Sequence, residues 1–303
     1  MLLLLFRFEM IKIVGIYSLK NNEVKVMSEK ITLGSNGIKR VLKKFSPVES
    51  VAEYIWNGYD ADATKIEVLI DANKMGGINK ITIIDNGCGI DFGTLDKKFK
   101  PFYESNKMLY KNENNNSSLI HGKNGIGRLT FFTFARVAKW TTTYNCDNKL
   151  FEYTIEITEN GLDDYRTSEP KTVQDCSTGT IVEFDGISDE ILLGDITEFI
   201  KIDFAWYIEL NRGRDIQLII NGKLLDYSDL LKDKEHKQYR YERYKFDVVF
   251  CRWEKKLHQE YSKYYYLNSN GVEVYKENTT LNNKGDDFYH SVYISSTALL
   301  KYQ

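Results

Sequence analysis

"EYIWNGYDADAT", Glu53 to Thr64, places three polar residues, Glu53, Asn57 and Asp60, in an otherwise apolar run. Their i, i+4, i+7 spacing puts them on one face of a helix. Val48, Val51, Ala52, Ile55, Trp56 and Tyr59 recur at helical spacing and Ser46-Pro47 supplies a cap and a first turn, so the spacing predicts a helix over 46–59. Such a face can offer a carboxylate to polarise a water, an amide oxygen to a hard cation, and a second carboxylate behind them. The competing reading is a solvated stripe or a cap. Gly58 inside the helix costs about 1 kcal/mol relative to alanine, which points to close packing there.

Around this segment lie 303 residues, 42% hydrophobic and 14% aromatic, enough for a packed core and for two domains. With 41 basic and 43 acidic residues the net charge is only -2, so the balance indicates neither nucleic acid nor an anionic membrane as a partner. Cys88, Cys146, Cys176 and Cys251 form no CxxC pair and no metal-ligand cluster, which fits reduced thiols in a cytoplasmic protein. The opening "MLLLLFRF" is far shorter than the roughly 20 residues of a spanning helix and no small-residue cleavage site follows, so neither membrane span nor signal peptide is expected. Because Met27 precedes "SEKITLG", residues 1–27 read as a start-site artefact or as an arm that strengthens a neighbouring strand or a dimer partner.

Downstream, "KIEVLID" (Lys65 to Asp71) and "KITIID" (Lys80 to Asp85) alternate as strands joined through Gly76-Gly77. From Leu95 to Ile120 the pattern decays into an Asn/Ser-rich run, expected as a long mobile loop. "GKNGIGRLTFFTFARVAKW" then predicts glycines followed by an apolar helix, and "KWTTTYN", "LFEYTIEIT" and "GTIVEFDGI" predict strands. Ile196 to Leu210 reads as a helix leaving the first domain near Asp195, and "DIQLIINGKLLD" as a strand-turn-strand, around Asn221-Gly222, that opens a second unit. In that unit "LLKDKEHK" reads as a solvated helix end and "SKYYYLNSNGVEVY" as a strand pair around Asn270-Gly271. "QYRYERYKF" reads as an alternating surface strand, with contact to nucleic acid as the lesser alternative.

Two further constellations carry chemistry. "IIDNGCGI" (Ile83 to Ile90) is a buried strand that ends in Asp85 and turns through Gly87 and Gly89. An aspartate there can accept a hydrogen bond from an exocyclic amine, and bare glycines let a flat ring come close; an ordinary Asp-Asn-Gly turn is the alternative. In "GKNGIGR" (Gly122 to Arg128) a GxxGxG pattern opens a helix, whose free N–H groups make an anion site with Lys123 and Arg128 as charge partners. It is no Walker A loop, since no Gly-Lys-Ser/Thr follows at the required spacing, and no parallel βαβ unit surrounds it.

Glu53, Asn57 and Asp60-Ala61, then Asp85, Gly87 and Gly89, then Gly122, Gly125 and Gly127, then Gly179-Thr180 occur in an order that resembles the GHKL ATPases. That superfamily holds type II topoisomerase ATPase subunits, ninety-kilodalton heat-shock chaperones, MutL and MORC proteins and sensor histidine kinases. The resemblance covers Ser28 to Asp195. It implies an α+β fold of Bergerat type: an α/β sandwich whose mixed, mostly antiparallel sheet is covered by helices on one face, over residues 28–195, with a lid at about 95–124. A second, smaller transducer-like α/β domain, complete or incomplete, would occupy 196–303.

The resemblance further implies ATP and Mg2+ as ligands. Glu53 would be the general base that orients the attacking water, Asn57 the magnesium ligand, and Asp85 the adenine reader with Thr180 beside it. Asp60 and Ala61 would complete the pocket wall, Gly87 and Gly89 would let the nucleotide approach, and Gly122, Lys123, Asn124, Gly125, Ile126, Gly127 and Arg128 would wrap the phosphates. Lys107, in the lid, is a candidate phosphate contact or a solvated lysine. Trp56 and Gly58 depart from the family pattern, which has smaller aliphatic residues and Ser or Ala there.

Glu53 is present and none of His121, His236, His258 and His290 precedes the motif, so hydrolysis is favoured over a histidine-kinase-like phosphotransfer. "HGKNGIGRL" looks most like the MORC, MutL and heat-shock chaperone side. The expected function is slow, magnesium-dependent ATP hydrolysis coupled to lid closure and ATP-dependent homodimerisation, with a protein partner or fused effector domain. The alternative is a nucleotide-gated clamp or scaffold without significant turnover.

Overall fold

The computed structural model describes residues 34–74, 76–99, 127–257, 262–281 and 287–302, the side chains of 300–302 excepted. Helix α1 spans Ser35–Leu42 and α2 spans Pro47–Asp60. At the start of α2 the Ser46 hydroxyl accepts from the Glu49 N–H at 3.3 Å and the Glu49 carboxylate accepts from the Ser46 N–H at 3.0 Å. This capping box, with Pro47 as the first helical residue, satisfies two otherwise orphaned donors and contributes about 1 kcal/mol.

After α2 come strands β1 (Lys65–Ala72) and β2 (Ile78–Asp85), the 3-10 turn Phe92–Thr94 and the short helix α3 (Leu95–Phe99). Beyond residue 127 follow a 3-10 stretch (Gly127–Thr133), β3 (Val137–Cys146), β4 (Lys149–Thr158), the short β5 (Arg166–Thr167) and β6 (Lys171–Val173), and β7 (Gly179–Asp185). The stretch after Gly127, expected as an apolar α-helix, is thus a 3-10 helix. Its tighter winding is held by the Thr130 hydroxyl, which donates to the Gly127 carbonyl at 2.7 Å.

Helix α4 (Leu193–Leu210) leads to β8 (Gln217–Ile220) and β9 (Lys223–Leu224). These strands build one sheet in the order β5-β4-β3-β7-β2-β1-β8-β9, with β6 also on β4. All its pairings are antiparallel except β1 with β8. The strand-turn-strand expected to open a second unit therefore completes the first sheet instead. Asn221 and Gly222 take positive φ values of 47° and 74°, as the expected two-residue turn requires. Pairing of β8 with β1, across about 150 positions of sequence, is what draws it in.

Alternation decides which face of the sheet is covered. Ile66, Val68 and Ile70 of β1, Ile81 and Ile83 of β2, Val182 and Phe184 of β7 and Ala138 and Trp140 of β3 are all buried on one side. Helix α2 lies on that side, its Tyr54 ring 4.6 Å from Phe184 and 6.3 Å from Trp140. Helix α4 lies against α2, with Trp56 to Phe204 at 4.3 Å and Tyr59 to Tyr207 at 5.0 Å.

A second, smaller sheet follows: β10 (Leu231–Tyr241), β11 (Tyr244–Trp253), β12 (Lys263–Leu267), β13 (Glu273–Asn278) and β14 (His290–Ser296), in the order β10-β11-β14-β12-β13. Here "LLKDKEHK", expected as a helix end, is mostly the first half of β10. Its charges suit an edge strand, where they discourage pairing with other chains. The strand pair around Asn270-Gly271 forms as expected, between β12 and β13. Tyr265 and Tyr293 hold this sheet to α4: Tyr265 stacks on Trp206 at 6.0 Å and the Tyr293 hydroxyl donates to the Trp206 carbonyl at 3.0 Å. No helix among the described residues is long and apolar enough to cross a membrane.

Candidate active site

Glu53, Asn57 and Asp60 all fall within α2, half-buried, while Tyr54, Ile55, Trp56, Gly58 and Tyr59 around them are buried. The polar face thus lies between two anchored flanks. On one side the buried Tyr54 hydroxyl donates to the Arg128 carbonyl at 2.8 Å and accepts from the Phe131 N–H at 3.1 Å. Burial raises its pKa above the ordinary tyrosine value, which keeps it a neutral donor. This grip brings the start of the 3-10 stretch to the polar face. An ideal Cβ on Gly127 would sit 2.7 Å from Glu53 Oε2 and 3.9 Å from Asn57 Nδ2.

Gly58 seats the helix on the sheet. A Cβ there would meet Ile66 Cδ1 at 2.7 Å and the Asp85 Cβ at 3.1 Å, so only glycine lets α2 approach β1 and β2 this closely. The residue that departs from the family pattern is explained by this contact, and it brings Asp85 under the same helix that carries Glu53.

Asp85 is the last residue of β2, on the same face as Ile81 and Ile83. Its register partner in β7 is Thr180, and the Thr180 partner in β3 is Thr142. The two threonine hydroxyls lie 3.1 Å apart, and Thr142 Oγ1 also accepts from the Ile90 N–H at 2.9 Å. Burial pushes the Asp85 carboxyl up from its ordinary range, while backbone hydrogen bonds from Gly87, at 2.9 Å, and Thr180 hold it back. Asn86 fixes the turn: its side-chain oxygen accepts from the Thr64 and Lys65 N–H groups at 2.9 and 2.8 Å.

Gly87 and Gly89 were expected to leave room for a ligand. Their side-chain space is taken by the chain itself: a Cβ on Gly87 would meet the Ala61 carbonyl oxygen at 2.6 Å, and one on Gly89 the Thr143 carbonyl oxygen at 2.1 Å. Both glycines therefore let the Asp85 loop pack onto α2 and β3. Ala61, the C-cap of α2, also accepts from the Cys88 N–H at 2.9 Å.

Arg128 was expected at the phosphates. Its guanidinium instead donates to the Phe99 carbonyl at 2.6 Å and lies 5.6 Å over the Phe99 ring, with its pKa lowered to about 10 by burial. The contact joins Phe99, before segment 100–126, to Arg128, after it. Lys107, Gly122, Lys123, Asn124, Gly125 and Ile126 lie outside the described residues.

Sequence reasoning missed Tyr54, Thr142 and Asp203. Thr142 carried a signal, since alternation in "KWTTTYN" assigns it the covered face. Asp203 carried another, as a lone carboxylate amid the apolar residues of "FIKIDFAWYI". The hydroxyl of Tyr54 gave none, because nothing local shows that an aromatic core residue has a distant backbone partner.

Residues 45–181 match a family model described as histidine kinase-, DNA gyrase B-, and HSP90-like ATPase. Curated proteins give no match. Among solved structures, the ATPase region of Saccharomyces cerevisiae topoisomerase II is similar at 15% identity, over 82% of this chain and 72% of that one, with a TM-score of 0.45. The same region bound to ICRF-187 (dexrazoxane) is similar at 15% identity over the same shares, with a TM-score of 0.44. The family match lies over α2, the Asp85 turn and the start of β7, and it supports a GHKL-type ATPase region over residues 45–181.

Proposed function

We propose that this chain binds ATP with magnesium between α2 and the Asp85–Thr180 end of the β2–β7 strand pair and hydrolyses it slowly. Glu53 is the general base for the attacking water, Asn57 contributes its amide oxygen to magnesium, and Asp85 accepts from the adenine amine with Thr180 beside it. What supports this reading is the order of groups along one helix. Glu53 lies against Gly127, Asn57 reaches the same glycine from the next turn, and Gly58 beside Asn57 packs on Asp85. Five residues of helical rise separate Glu53 from Gly58, about 7.5 Å, so the base and phosphate ends of a nucleotide are met by different turns.

Magnesium would supply charge neutralisation of the phosphates. Asn57 fits it as a neutral hard-oxygen ligand, and among the described residues no three His, Cys, Asp or Glu side chains gather into a metal site of their own. Any further ligands would have to come from phosphates and water. ATP-dependent homodimerisation extends the same reading: if it holds, phosphate release rises more than linearly with protein concentration.

The test is the loss of the Glu53 carboxylate. Glu53→Ala should retain ATP affinity and lose phosphate release by at least about 100-fold, the scale of general-base catalysis. Normal hydrolysis by Glu53→Ala would remove Glu53 from the role, and phosphate appearing on a protein side chain would replace hydrolysis by phosphotransfer.

A further inference from the structure

Asp203 lies on α4, outside every motif of the site, and its side chain is buried with 7% exposure. Its Oδ2 accepts from the Trp56 indole N–H at 2.8 Å. A carboxylate is costly to bury, so one retained at a helix interface fixes a direction as well as filling space. We propose that Asp203 is a positioning residue for the polar face of α2, acting through Trp56, and that it ties the seating of α4 to the geometry of Glu53 and Asn57. The inference rests on the nucleotide reading given above.

The helical wheel gives the reason. At about 100° per residue, Tyr54 and Trp56 lie about 80° to either side of the midpoint between Glu53 and Asn57. Tyr54 is bonded into the 3-10 stretch and Trp56 into α4, so the two hydrogen bonds oppose rotation of α2 in opposite senses. An atom about 6 Å from the helix axis moves about 1 Å for a rotation of about 10°. A misplacement of about 1 Å costs on the order of 100-fold in rate. The spacing of Asp85 and Thr180 is set by the pairing of β2 with β7, not by the rotation of α2.

Helix α4 is fixed on its other side by the second sheet. Besides the Tyr265 and Tyr293 contacts to Trp206, the buried Glu209 accepts from Lys234 of β10 at 2.7 Å and from Tyr227 at 2.9 Å. Asp203 thus adds a directional hydrogen bond between an α4 held by the second sheet and the turn of α2 that carries Asn57.

The experiment compares the full chain with Asp203→Asn, Asp203→Leu and Trp56→Phe. Each is checked for folding by thermal melting, then measured for ADP affinity by calorimetry and for phosphate release from ATP and magnesium. Asp203→Leu and Trp56→Phe should lower kcat by about 10-fold or more with ADP affinity within about threefold of wild type, while Asp203→Asn, which keeps an oxygen acceptor, stays near wild type. A folded Asp203→Leu with wild-type kcat, an Asp203→Asn as impaired as Asp203→Leu, or a loss of ADP affinity equal to the loss of rate would overturn the proposal. If Asp203→Leu does not fold, Trp56→Phe decides alone. A wild type that binds no nucleotide refutes the nucleotide reading and this inference with it. In a wild type that binds without turnover, the gain in ATP affinity on adding magnesium replaces kcat, with the same expected order among variants.

Discussion

Gly58→Ala separates this structure from general expectation. In an ordinary exposed helix interior the change stabilises by about 1 kcal/mol, because glycine pays more backbone entropy. Here the new methyl would lie 2.7 Å from Ile66 Cδ1, 3.1 Å from Asp85 Cβ and 3.4 Å from Ile66 Cγ1. Ile66 is fully buried, so packed neighbours must take up any displacement of its side chain and overpacking of about 1–3 kcal/mol opposes the helix gain. The net is a destabilisation of about 1 kcal/mol, or about 2–4 °C in Tm. Ile66→Val removes Cδ1 and by itself costs about 0.5–1.5 kcal/mol. In the double variant the alanine methyl occupies vacated space, so the pair loses less than the sum, with a coupling of about 1 kcal/mol. Urea unfolding of the four proteins measures this cycle. A Gly58→Ala chain more stable than wild type, or an additive double variant, would refute the argument that Gly58 exists to seat α2 on β1 and β2.

Other predictions follow from the same contacts. Gly127→Ala would press on Glu53 Oε2, the far end of a flexible side chain, so melting should be nearly unchanged while phosphate release falls; unchanged turnover would show that Glu53 has no fixed working position. Asp85 has a raised pKa from burial, so the folded chain holds its proton in a range where the unfolded chain has released it. Its ionisation therefore opposes folding above the raised folded pKa, and this cost disappears as pH falls below the unfolded pKa. Asp85→Asn should be at least as stable as wild type at pH 7, with a flatter dependence of stability on acid, as urea midpoints across pH would show. Nucleotide affinity runs the other way: it should be lost as pH falls through the raised folded pKa, and an affinity constant across that range would remove the carboxylate from recognition.

The parts of this fold legible in the sequence are those specified locally. Ser46, Pro47 and the apolar spacing announce α2, the alternation in "KITIID" announces β2, and Asn221-Gly222 announces a hairpin turn. Long-range choices were hidden. Nothing within "DIQLII" says that its partner is β1, so its sheet was misassigned. The charged half of β10 lacks alternation because an edge strand with little burial needs none. Within the site, Glu53, Asn57 and Asp85 were named from the family motifs, while the contact of Arg128 with the Phe99 ring and carbonyl lies across a chain segment that local pattern cannot bridge. Trp56 and Gly58 stood out in sequence as departures, and their reasons, Asp203 and Ile66, are visible only in three dimensions.

The most direct test of the central claim is a calorimetric titration of the wild-type chain and of Asp85→Asn with ATP in the presence of magnesium. The account predicts saturable binding to the wild type and its abolition in a folded Asp85→Asn. Absence of binding to the wild type, or undiminished affinity in the variant, would contradict it.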